Sequence, residues 1–433
     1  MSATFNAVNY IIELGPVILL PVILFMISLI ITRKPLKNLK NFAFIFTGLF
    51  GVSVLLGLFI NFFTPFTNTI ILNSTKEYTI IDAGWLVSKN VILNSPITLY
   101  IIIAVVSINI IMLLFRFTRT INIDIWNYWS FLFIGSIIFA ITGMEWIALL
   151  IAIIAAAITL VLSDIYAIYI NNYYGISGFS TPQAHIICWA PLSHLINTIF
   201  NKIPLIRRIH IFYEELQYKM GIFSEPILTG FILGFIIGAI TRYKNFFLNP
   251  ASNLFYAFIS GLTLSFIFIL VPRTVNILFK GLTPTISDIK SFIKRKITKR
   301  DLNIGLDPII LAGMPSTITM SAVLIPLTIY ISTILPGSTI LPSSDLIMIP
   351  LIMVWVIVLS RGDIFRSFIS AIIIIPIILW ISSNMGNLFT NFFLKYDIEM
   401  IEGYRRVSSM GGSSNVLFWI LLKIIEPIFS LHP

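Results

Sequence analysis

Charge is what this chain lacks most. Only 11% of its 433 residues are Asp, Glu, Lys or Arg, less than half of the roughly 25% found in a soluble domain. With 58% hydrophobic residues beside it, that scarcity excludes an ordinary soluble fold and leaves an all-α polytopic membrane protein. Cysteine is almost missing too. The single Cys188 rules out an intrachain disulfide, and its setting Ile186-Ile187-Cys188-Trp189 suits a packed thiol, because an apolar environment disfavours the thiolate. With 4 His, no Cys-x-x-Cys pair and no His-Glu-x-x-His run, neither a metal site nor another cofactor is expected. A phosphate-binding Gly-x-x-x-x-Gly-Lys-Ser/Thr loop is absent as well, which excludes ATP hydrolysis by that route.

The charge that is present is patterned. The net charge is +10, and the basic residues fall in short clusters between apolar runs, so they signal membrane orientation rather than nucleic acid. Arg33, Lys34, Lys37 and Lys40 follow a first span over Ile11 to Thr32. Arg116 and Arg119 follow a span over Ile97 to Phe115. Eight Lys or Arg lie between Arg273 and Arg300. These loops are expected in the cytoplasm and the N-terminus outside. A basic amphipathic stretch, Asn201 to Met220, is expected along the same face. Further spans are expected at Phe42–Phe63, Ile147–Ile170, Asn253–Val271, Ser316–Leu335, Leu346–Leu359 and Phe368–Ser383, about ten in all.

Four polar breaks interrupt the apolar pattern. Thr64 to Pro96 contains Asp82, Gly84 and Trp85 and reads as a re-entrant hairpin or an outer cap. Thr120 to Ser130 places Asp124, Trp126, Asn127 and Ser130 at the mouth of an apolar run, as an interfacial belt or a binding element. Gly175 to His185 carries Ser180, Thr181, Gln183 and His185 on backbone that Gly and Pro suit to close approach to a ligand. Lys299 to Gly313 contains Asp307-Pro308. Pro308 disfavours helix at Asp307, and broken backbone at membrane depth survives only where protein or a water-filled cavity satisfies it. A carboxylate there costs roughly 2.5–3.5 kcal/mol on insertion scales unless paired. Asp307 is therefore either a substrate ligand or a helix cap at the interface. Corresponding breaks in residues 1–215 and 216–433 suggest two inverted repeats with the site between them.

Several stretches together carry a family resemblance. They are Leu14-Gly15-Pro16, Asp82-Ala83-Gly84-Trp85, Thr118 to Asn127, Phe223-Ser224-Glu225-Pro226, Lys280-Gly281-Leu282-Thr283-Pro284, Ile304-Gly305-Leu306-Asp307-Pro308, Ile325-Pro326-Leu327-Thr328-Ile329 and Arg361-Gly362-Asp363-Ile364-Phe365-Arg366. In this order the chain resembles the membrane (IIC) subunit of the galactitol branch of the bacterial sugar phosphotransferase system, related to the ascorbate branch. The resemblance implies an inner-membrane homodimer with a scaffold and an elevator-like mobile core, with no IIA or IIB domain in the chain. It implies a galactitol-like substrate bound outside and delivered inward, where a separate IIB protein, served by IIA, phosphorylates it. Arg207, Arg208, Lys294 and Arg295 are candidates for docking that partner. The expected substrate-binding residues are Asp307, Gln183, Ser180, Thr181, His185, Asp82, Gly84, Trp85, Asn127 and Ser130. The chain departs from the family pattern where it has Ser130, Gln183 and Met314 in place of histidines, and it ends at Pro433 where the family has a further span. An ion-coupled secondary carrier and a divergent, non-transporting copy are the alternatives.

Overall fold

A computed structural model describes residues 15–84, 92, 95–175, 177–212, 215, 225–245, 248–296, 299–395 and 406–427. Trp85, Leu14 and the whole of the 216–224 and 396–405 stretches lie outside the described residues. The chain is mostly helical. Among the described residues, six helices are long and apolar enough to cross a membrane, and five shorter apolar helices accompany them.

The first part of the chain runs α1 (Gly15–Thr32), α2 (Pro35–Leu72), β1 (Ile80–Asp82), α3 (Thr98–Leu114), β2 (Thr120–Asn122), α4 (Trp129–Thr142), α5 (Glu145–Tyr174), β3 (Phe179–Ser180) and α6 (Ala190–Lys202). The second part runs α7 (Pro226–Thr241), α8 (Pro250–Lys296), β4 (Asn303–Gly305), α9 (Pro315–Ile334), β5 (Ile340–Leu341), α10 (Met348–Leu359), α11 (Ile364–Asn384), α12 (Gly386–Leu394), β6 (Arg406–Ser408) and α13 (Val416–Ile425). Apart from α12, the order helix, helix, strand, helix, strand, helix, helix, strand, helix occurs twice.

The long helices α2 and α8 pair antiparallel. Gly48 of α2 meets the backbone of Leu278, and Gly281 of α8 meets the carbonyl of Asn41, so the start of α2 lies beside the end of α8. Lys37 closes that end with an ion pair to Asp288 at 2.6 Å. At 1.5 Å per residue, the 38 residues of α2 extend about 57 Å, well beyond a hydrocarbon core of about 30 Å. The basic ends of both helices therefore stand clear of the apolar layer. Helix α7 packs on α8 through Gly230, Gly234 and Gly238, the last two within 2.9 Å of where a Cβ would meet Gly261 and Ala257 backbone. Small residues at fourfold spacing permit this approach where lipid provides no hydrophobic drive.

One expectation changes here. The span Asn253–Val271 and the basic stretch Arg273–Arg300 are not separate, because α8 runs unbroken from Pro250 to Lys296 through Pro272 and Pro284. Val275, Leu278, Leu282, Ile286, Ile289 and Ile293 are buried along it, and this 3.6-residue stripe holds the helix together across both prolines. Within the basic amphipathic stretch Asn201–Met220, α6 ends at Lys202 and Ile203 is extended at φ −89 and ψ 112, while residues 213, 214 and 216–220 lie outside the described residues. Pro204 explains the extended Ile203, since proline drives its predecessor out of helical geometry.

Among the described residues six strands, each only two or three residues long, form two parallel sheets in a largely α-helical protein. In sheet A the order is β5-β1-β6, and in sheet B it is β2-β4-β3. In each sheet the central strand comes from one part of the chain and both outer strands from the other. Sheet A registers Ile80 with Ile340 and Arg406, and sheet B registers Ile304 with Ile121 and Phe179. Because β1 follows the far end of α2 and β4 follows the basic end of α8, the sheets enter from opposite ends of the helix pair.

Candidate functional site

Each sheet releases its chain at the C-terminal end into a polar turn, and there buried carboxylates collect. At sheet B, the side chain of Asp124 accepts the amides of Trp126 at 3.1 Å and Asp307 at 2.9 Å. The two aspartates are thus brought together from positions far apart in sequence. Asp307 is 9% exposed. Its Oδ1 accepts the amide of Ile309 at 2.8 Å, so it does start the following turn. Its second oxygen makes no hydrogen bond among the described residues.

Around this pair lie polar atoms without partners. Asn127 is fully buried, and its Nδ2 donates to Asn122 Oδ1 at 2.8 Å while its Oδ1 is unbonded. Thr181 Oγ1 and Gln183 Oε1 are likewise unbonded, and Thr181 is 2% exposed. An unpaired buried polar group costs about 1–3 kcal/mol, so several at one sheet end mark a place prepared for hydroxyls or water. Ser180 is different: its hydroxyl accepts from Thr120 Oγ1 at 3.0 Å and ties β3 to β2.

At sheet A both oxygens of Asp82 are bonded. Asp82 accepts the amides of Gly84 (3.2 Å), Met410 (2.9 Å), Ser344 (3.2 Å) and Asp345 (2.9 Å). Asp345 in turn accepts Ser409 Oγ at 2.6 Å and the Gly411 amide at 2.8 Å. Gly84 has φ +76, and an added Cβ would lie 2.9 Å from Ser344, so the tight turn after Asp82 requires glycine. Asp82 and Gly84 therefore build sheet A, and Trp85 lies outside the described residues.

His185 joins the two ends. Its Nδ1 pairs with Ser130 Oγ at 2.7 Å and its Nε2 with the Gly412 carbonyl at 3.0 Å, and Phe133 and Phe418 pack edge-on against the ring. Both nitrogens are engaged within the protein. Met314, also partly buried, packs on the core. Asp345 and Ser409 were missed by sequence reasoning, because Asp345 reads only as the polar start of an apolar run. Asp124 was visible in its motif, and only the bond to Asp307 reveals its role.

Comparison with known proteins gives the family. The family model for the PTS system sugar-specific permease component, EIIC-GAT, matches residues 10–403. This chain belongs to that family. The PTS system galactitol-specific EIIC component of Escherichia coli (strain K12) is 30% identical over 422 residues, covering 98% of this chain and 91% of that protein. A putative permease IIC component of the same organism is 28% identical over 418 residues, covering 96% and 93%. As an EIIC-GAT permease, the chain is a multi-pass membrane component of a phosphotransferase system.

Proposed function

We propose that this EIIC-GAT chain binds a galactitol-like polyol at the end of sheet B and delivers it to its basic end for phosphorylation by a separate IIB protein. The observation that carries the assignment is the set of unbonded oxygens on Asn127, Thr181 and Gln183 beside the free oxygen of Asp307. Carboxylate and amide oxygens accept hydrogen bonds from polyol hydroxyls, while the Thr181 hydroxyl and Gln183 amide can also donate. The galactitol assignment rests on the relative that covers nearly the whole chain. In this reading Asp82, Gly84, Ser180, Ser130 and His185 position the site, and Asp307, Asn127, Thr181 and Gln183 touch the substrate. The repeated element order and the antiparallel α2–α8 pair favour two inverted repeats, divided near residue 215. In this reading the protein is a homodimer in the inner membrane with its N-terminus outside and its sheet B strands rising from the cytoplasmic end.

The test is equilibrium binding of galactitol to purified protein and to Asp307→Asn. Asn keeps the turn-starting acceptor, so melting temperature is expected to hold. Loss of a charged acceptor worth about 1.5–3 kcal/mol lowers affinity roughly ten- to hundredfold. Unchanged affinity would remove Asp307 from the site.

A further inference from the structure

The motif Arg361 to Arg366 is not used by the sheet B site, yet it builds a cleft of its own. Gly362 lies in the turn between α10 and α11 and packs against the Tyr173 hydroxyl, which places the turn at the end of α5, just before sheet B begins. That is the basic end of the molecule, where Arg300 reaches the Thr118 carbonyl at 3.5 Å. The cleft holds about 450 Å³ and is lined by Arg207, Arg361 and Arg366, by Asn197 and Asn201 of α6, and by Asp363, with His194 and His210 at its sides.

Its single carboxylate is occupied. Asp363 is buried and accepts the Arg366 amide at 3.1 Å and the Ile211 amide at 3.5 Å, while His210 Nδ1 pairs with it at 3.0 Å. The guanidinium groups are less committed. Arg366 is 9% exposed, and its Nη1 donates to Asn201 Oδ1 at 2.8 Å. Its Nε lies 3.5 Å from Asp363 Oδ2 and makes no hydrogen bond. The side chains of Arg361 and Arg207 have no ion pair or hydrogen bond among the described residues. Arg361 also sits at φ 56, a left-handed conformation that costs a non-glycine residue free energy and is concentrated at functional sites.

We propose that this cleft binds the phosphate of a phosphorylated polyol or sugar at the basic end of the permease. A buried guanidinium with an unused donor, flanked by two unpaired ones, matches the planar, multi-donor recognition that phosphate favours. The carbohydrate part would lie against the Asn197, Asn201 and Ser360 polar groups and the Tyr169 ring, in a volume typical of small-molecule sites. This rests on the phosphotransfer reading above, because it assigns a place to the product of that reaction.

The experiment is calorimetric titration of purified full-length protein in detergent with sorbitol 6-phosphate, sorbitol, inorganic phosphate and sulfate. Saturable binding of sorbitol 6-phosphate is expected, tighter than inorganic phosphate or sulfate, with no competition from sorbitol. Arg207→Gln should raise its Kd tenfold or more. Arg361→Gly should do the same while holding or raising the melting temperature, since glycine accepts the left-handed backbone without cost. An unchanged Kd in both variants overturns the proposal, as does equal affinity for all three anions, which would indicate an adventitious ion only. Galactitol binding on the same samples reads the sheet B site separately, so failure of one assignment is distinguished from failure of the other.

Discussion

The two sheet ends are built to one plan and finished differently. Each has a central strand from one part of the chain, two outer strands from the other, and a pair of aspartates at its C-terminal edge. At sheet A, backbone amides and a serine hydroxyl converge on Asp82 and Asp345. At sheet B, Asp307 keeps one oxygen open, and Asn127, Thr181 and Gln183 each carry an unbonded oxygen. Asp82 is bonded at both oxygens and acts as a joint, whereas Asp307 keeps the open oxygen on which the proposed site rests. A buried acid is therefore not a functional residue by virtue of burial alone; the bonding of its own two oxygens separates Asp82 from Asp307.

That contrast breaks most visibly at Asp82. Asp82→Ala leaves the amides of Gly84, Ser344, Asp345 and Met410 without their acceptor, at about 1–3 kcal/mol for each buried group. The sum is comparable to the whole stability of a typical domain. The variant is expected to lose its monodisperse peak in size-exclusion chromatography. A normal peak and melting temperature together with lost galactitol binding would make Asp82 a ligand and reverse the comparison.

A smaller effect is expected at the link between the ends. Ser130→Ala removes the partner of His185 Nδ1 and should lower stability by about 1–3 kcal/mol, read by thermal melting in detergent. An unchanged melting temperature would mean that the histidine does not join the two ends.

The smallest and sharpest effect belongs to Thr181. Thr181→Val keeps the side-chain shape and deletes a buried hydroxyl that has no partner. Stability is expected to stay level or rise slightly, while galactitol affinity falls roughly two- to tenfold, the worth of one neutral hydrogen bond. A loss of stability at unchanged affinity would class Thr181 with Asp82 of sheet A.

How much of this was legible in the sequence differs between the ends as well. The Asp307-Pro308 break stands out because proline and a carboxylate interrupt an apolar run; one oxygen of Asp307 starts the following turn, and the ligand reading of the other rests on the binding test. Asn127, Thr181 and Gln183 are singled out in the sequence by the same contrast of polar residues against a greasy background. The strands were not legible, because two or three residues are too few to show an alternating pattern. Asp345 escaped for a related reason. Its meaning depends on Asp82, 263 residues away, and on Ser409 and Gly411, and nothing local to Ser343-Ser344-Asp345 announces them. In α8 long-range packing carries the helix through Pro272 and Pro284, whereas at Ile203-Pro204 the helix ends, a difference that local sequence does not show.

The exchange of strands between the two parts of the chain also has a consequence for biosynthesis. While the ribosome is still making the first part, β1 has no neighbour, because both of its partners belong to the second part. Strands β2 and β3 must wait for β4 in the same way. With synthesis at about 5–20 residues per second, the 263 residues separating Asp82 from Asp345 amount to roughly 15–50 s. Through that interval the nascent polypeptide holds an unmatched carboxylate and bare strand edges beside the translocation machinery. Neither part alone can complete either sheet, so a prematurely terminated product would expose these edges to chaperones and membrane proteases.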